Sequence, residues 1–88
     1  MEKEYKPIAC ELYDELELRA LRKKIIKLTF QNDRNDNEII ECIIADLFSK
    51  DKIEFLKTND GRIIRLDDIL ELDGINFNKS CGGNYYEI

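Results

Sequence analysis

Between Leu12 and Ala20 the apolar residues Leu12, Tyr13, Leu16 and Ala20 recur at helical spacing. At about 100° per residue they share one side, with Glu11, Asp14 and Glu15 opposite. The pattern predicts an amphipathic helix from about Glu11 to Arg22 lying on a core, entered through an extended approach set by Pro7. Leu18 falls among the acids and is expected to point outward. From Lys24 to Phe30 the spacing changes, because Ile26, Leu28 and Phe30 alternate with Lys27 and Thr29, as in a half-buried strand.

The run Gln31 to Asn37 supplies a turn. Ile39 to Phe48 follows, β-branched at Ile39, Ile40, Ile43 and Ile44, and predicts a second strand of ambiguous period that ends at Ser49, Lys50 and Asp51. Ile53 to Lys57 and Arg62 to Leu66 flank Asn59, Asp60 and Gly61, a hairpin signal. Asp67 to Leu72 suits a fifth strand or a short helical turn before Gly74, and the strand is favoured. Residues 74–88, with Asn76, Asn78, Ser80, Gly82, Gly83 and Asn84, are too polar and glycine-rich to pack alone. They are expected as a flexible tail, with Tyr85 to Ile88 an edge strand or disordered. The whole predicts one domain over residues 1–88, mainly β with one N-terminal α-helix, in a small, strongly bent antiparallel sheet or barrel.

Composition narrows the function. At 88 residues a second core is not affordable, and 38% charged residues call for a heavily ionised exterior. A net charge of −5 opposes nucleic acid as the main partner and favours a basic protein. No apolar run exceeds Cys42 to Ala45, so no membrane span or signal peptide is expected and a cytoplasmic location is inferred. Cys10, Cys42 and Cys81 are odd in number and far apart, which fits buried or idle thiols better than a disulfide framework, a redox site or zinc. Histidine is absent, the adjacent Asp67 and Asp68 would face opposite sides of a strand, and Gly82 and Gly83 precede no helix that would cradle phosphate. Neither an enzyme nor a cofactor is expected.

The charge order of the helix has two readings. Acids in its first turns and Arg19, Arg22, Lys23 and Lys24 at its end complement the helix dipole, at about 0.3–1 kcal/mol each. That account leaves Leu18 among the acids, and Tyr13 beside Asp14 and Glu17, without a reason. An aromatic residue flanked by carboxylates is suited to anchor a basic partner.

Tyr5, Pro7, Ile8, Cys10, Tyr13, Asp14, Leu16, Glu17 and Leu18 together resemble the opening signature of the bacterial Rho-binding antiterminators, the Rof family. Ala45 to Lys50, then Glu54 and Leu56, then Arg65 to Ile69 follow in the family's order, so that the resemblance spans roughly Tyr5 to Asp73. It implies an Sm-like barrel carrying an N-terminal helix, and an acidic inhibitor that binds transcription termination factor Rho at its RNA-binding region. Tyr13, Asp14 and Glu17 match positions that would face Rho. Glu11 and Glu15 would extend the negative surface, Asp46 and Lys50 would border it, and Leu18 or Tyr13 would enter pockets that accept bases. No stable nucleic-acid binding of its own, no membrane and a monomer before binding are expected. The rivals are an Sm-like RNA binder using Arg19, Arg22, Lys23 and Lys24, and an interaction module for another basic protein.

Overall fold

Helix α1 (Cys10–Arg22) forms where the helical spacing places it, in a computed structural model that describes residues 4–77. Leu12 and Leu16 are buried, Tyr13 and Ala20 pack at the margin of the stripe, and Asp14, Glu17 and Leu18 face outward. The first turn has no side-chain cap; the Ala9 carbonyl accepts the N–H groups of Leu12 and Tyr13 at 3.0 and 3.1 Å. At the other end Lys23 turns left-handed (φ 54°), so that its N–H reaches Ala20 O and the Lys24 N–H reaches Arg19 O. This is a Schellman closure with lysine in the place glycine usually takes.

Among the described residues six strands follow: β1 (Ile25–Gln31), β2 (Asn37–Lys50), β3 (Ile53–Thr58), β4 (Ile63–Arg65), β5 (Ile69–Leu72) and β6 (Ile75–Asn76). All neighbours pair antiparallel, in the order β4-β3-β2-β1-β5-β6. β1 buries Ile26, Leu28 and Phe30 as its alternation requires. β2 outruns the expected strand at both ends, and its ambiguous period has a cause. The register against β3 shifts between Ile44 and Asp46, leaving Ala45 as a bulge residue and exposing Ala45 and Asp46 in succession.

The connection from β4 to β5 forces the sheet to curl. Arg65 pairs with Phe55, which pairs with Phe48; Ile69 pairs with Phe30, which pairs with Glu38. On a straight β2 the levels of Glu38 and Phe48 would lie about 33 Å apart. The link from Arg65 to Ile69, a 3-10 turn over Leu66–Asp68, spans at most about 14 Å. The two halves of β2 must therefore fold towards each other, and residues from both, with α1, bury one apolar cluster centred on Leu16, Leu28, Leu56, Leu66 and Leu72.

Three expectations change. Among the described residues the sheet is strongly bent but not a closed barrel, because β4 and β6 stand at opposite ends of the ladder and do not pair. Asp67 to Leu72 is not strand throughout: Leu66 turns inward to the core, and a 3-10 turn suits the crossing better than an extended run. Residues 74–77 do pack. Asp73 and Gly74, at φ 50° and 89°, make a two-residue primed turn that returns the chain as β6 and buries Phe77. Tyr85 to Ile88 and Cys81 lie outside the described residues.

Candidate protein-binding site

The stripe of α1 next to the core stripe consists of Asp14, Glu17, Leu18 and Leu21, at positions i, i+3, i+4 and i+7. Because Leu12 and Leu16 seat the helix on the core, this stripe is carried alongside β2 at its bulge. Had β2 kept its alternation, Asp46 would share the inward side of Cys42 and Ile44. The extra residue Ala45 turns it outward, and Asn59 secures the bend, accepting the Ile43 N–H on its side chain at 3.1 Å and donating its own N–H to Ile43 O at 2.8 Å. An open groove of about 710 Å³ results, with Asp14, Glu17, Leu18 and Leu21 on one wall and Ala45, Asp46 and Leu47 on the other.

Asp14, Glu17 and Asp46 meet no ion-pair partner among the described residues. Tyr13 sits half-buried at the foot of the helix, packed against the core. Burial first, and then the charges of Glu17, Glu54 and Asp46, push its phenol above the usual range. The phenol thus stays protonated, with carboxylates among its neighbours. A cation brought into the groove gains the carboxylates of Asp14, Glu17 and Asp46, with the Tyr13 phenol close by.

The other flank of α1 is spent on the fold. Arg19 donates to Glu15 Oε1 at 2.5 Å and to Asp73 Oδ2 at 2.8 Å. Its guanidinium is held above the ordinary range by Glu15 first and Asp73 second. Asp73 also accepts the Lys27 N–H at 2.8 Å, joining the helix, β1 and the β5–β6 turn. Burial works against its charge, yet the bonds from Lys27 and Arg19 outweigh it and hold the carboxyl below the usual range. The basic run is thus smaller than it reads: Arg19 is neutralised, and Arg22, Lys23 and Lys24 remain exposed.

Of the expected site residues, Asp14, Glu17, Leu18 and Asp46 line the groove and Tyr13 adjoins it. Glu11 lies one turn before Asp14, exposed but outside the lining. Glu15 is across the helix on Arg19, and Lys50 is at the far end of β2 beside the Asp51–Lys52 turn. Leu21, in the lining, was missed, as was the charge of Glu54 near Tyr13, a carboxylate that the Tyr5 hydroxyl already engages. Leu21 was legible in the i+7 spacing from Asp14; Glu54 reaches Tyr13 only through the tertiary fold. A second concavity of about 550 Å³, bordered by Phe30, Glu38, Arg62 and Arg65, is internally balanced: Glu38 holds Arg62 at 2.8 Å, and Asp67 holds Arg65 at 2.9 Å. The groove beside α1 differs in gathering three carboxylates, Asp14, Glu17 and Asp46, with no ion-pair partner among the described residues.

A family model described as "Modulator of Rho-dependent transcription termination (ROF)" matches residues 7–80. The chain belongs to the ROF family. Its role is therefore regulatory, in Rho-dependent transcription termination. The ROF match runs beyond Asp73, where the resemblance stopped, and takes in the β5–β6 hairpin. No curated protein matches the chain. Among the described residues no helix is long and apolar enough to cross a membrane.

The elements that display the groove are pinned at both ends. Tyr5 donates its hydroxyl to Glu54 at 2.8 Å and lies under the Arg65 guanidinium at 5.6 Å. The Lys6 N–H reaches Asp67 at 3.1 Å, while Arg65 grips the same carboxylate with two donors. Several residues that carry the sequence resemblance thus hold the segment ahead of α1, whereas Asp14 and Glu17 are exposed and Tyr13 packs on the edge of the core beside them.

Proposed function

We propose that this protein inhibits Rho by binding its RNA-binding surface through the groove between α1 and β2. The observation that carries the reading is the convergence of Asp14, Glu17 and Asp46 on one groove without a partner among the described residues. Carboxylates so placed occupy basic groups that otherwise hold RNA phosphates, and Tyr13 offers a ring to the same cations. Glu11 extends the negative field along the helix. The net charge of −5 supports a protein partner, no stable hold on nucleic acid, and a monomer before binding. One helix on a strongly curled antiparallel sheet supports an Sm-like scaffold in an opened form.

Titration into purified Rho at low and moderate salt, with single-stranded RNA as competitor, tests the reading. Saturable binding that weakens with salt and is displaced by RNA is expected. Binding indifferent to RNA would move the contact elsewhere on Rho. If the folded protein fails to bind Rho but retains RNA itself, the exposed Arg22, Lys23 and Lys24 become the site instead.

A further inference from the structure

Carboxylates alone do not account for the lining of the groove. Leu21 is 80% exposed and Leu18 41%, both on the groove side of α1, and Ala45 and Leu47 face them from β2. Helix α1 therefore carries two apolar stripes. The fold covers one of them, at Leu12 and Leu16; the other ends in open solvent. An apolar centre bordered by unpaired charges has the layout of a protein interface before its partner arrives.

We infer that Leu21, with Leu18, is an apolar anchor of the Rho contact and receives an apolar side chain of Rho that is flanked by basic groups. The inference rests on the proposed Rho contact and deepens it by naming what the groove takes. Charge selects this occupant. A second copy laid groove on groove would bring two sets of carboxylates, from Asp14, Glu17 and Asp46, against each other, and a phosphate backbone would meet the same repulsion. A copy that instead offered its exposed Arg22, Lys23 and Lys24 is separated by sedimentation. Basic residues on either side of an apolar one satisfy the rim while Leu21 and Leu18 exclude water from the centre.

Leu21→Asp separates this anchor from electrostatic attraction. The substitution adds negative charge to an exposed position, so attraction alone predicts equal or tighter binding to Rho at low salt. The anchor predicts a loss of about tenfold or more at every salt concentration. Leu21→Gln, uncharged and compatible with a helix, is expected to show the same loss, and Leu21→Met to retain binding; thermal unfolding confirms that each variant folds. If the wild type binds Rho, Asp14→Lys weakens it and both Leu21→Asp and Leu21→Gln bind normally, the anchor is overturned while the proposed function stands. If the wild type does not bind Rho, both fall. A wild-type dimer in sedimentation that Leu21→Asp splits, with Rho binding intact, would assign the leucines to a second copy and overturn the inference.

Discussion

The two flanks of α1 carry carboxylates of the same chemistry and put them to different uses. On one flank Glu15 and Asp73 converge on Arg19, and the ions are consumed in fastening the helix to β1 and the β5–β6 turn. On the other, Asp14 and Glu17 stand with Asp46 around leucines and have no cation to hold among the described residues. A count of acids along the helix does not separate these roles. Pairing does: a carboxylate with a fixed partner belongs to the fold, and one displayed without a partner is available to another molecule.

The largest effect comes from removing the stripe that lies between the flanks. Leu16→Asp puts a charge at a fully buried position, which costs more than the about 2–5 kcal/mol of truncating a buried leucine, and both flanks should be lost with the fold. Loss of the cooperative unfolding transition would show it, and a folded Leu16→Asp protein with normal binding would refute the placement of α1. Reversal on the display flank, Asp14→Lys with Glu17→Lys, should weaken Rho binding by about a hundredfold or more, with the far-ultraviolet spectrum unchanged. Asp73→Asn on the fastening flank should do the opposite. It should cost about 1–2 kcal/mol in denaturant unfolding and leave binding near the wild-type value at temperatures where the protein is folded.

Acid sharpens the same contrast. The Asp73 carboxyl is depressed in the folded chain, so its contribution is fully present above the ordinary aspartate range of about 3.9 and is lost as pH falls through the lower folded value. The wild type should therefore lose more stability than Asp73→Asn on acidification through that window. Equal slopes of unfolding free energy against pH would remove Asp73 from the fastening role. The smallest effect is expected where the flanks end: Lys23→Gly relieves a left-handed lysine and should raise stability by about 0.5–1 kcal/mol without touching either flank.

Much of the fold was legible because its periods are clean. Leu12 and Leu16 mark the helix, Ile26, Leu28 and Phe30 mark β1, and the Asn59 to Gly61 turn lies between two strands as its residues suggest. The bulge at Ala45 was not legible, since the apolar pair Ile43 and Ile44 fits either register and only pairing with β3 decides which side Asp46 takes. Asp73-Gly74 is a strong hairpin signal that was overlooked because only Ile75 and Asn76 follow it as strand. The open ladder ran against the expectation of a barrel, since a resemblance carries the elements and not the pairing of the last edges. At the site, Tyr13, Asp14 and Glu17 were readable as an aromatic beside acids. The engagement of Glu15 by Arg19, and the distance of Lys50 from the groove, depend on contacts that linear order does not encode.

The fastening of α1 at both ends has a kinetic consequence. Tyr5 and Lys6 tie the chain ahead of the helix to Glu54 and Asp67, and Arg19 ties its last turns to Asp73. A helix held in this way surrenders little conformational entropy when a partner arrives, so the free energy of contact is not diverted into ordering it. Encounter can then be governed by long-range attraction between unlike charges, fast at low ionic strength and slowed as salt is added, while the lifetime of the complex is set by how well its dry centre fits.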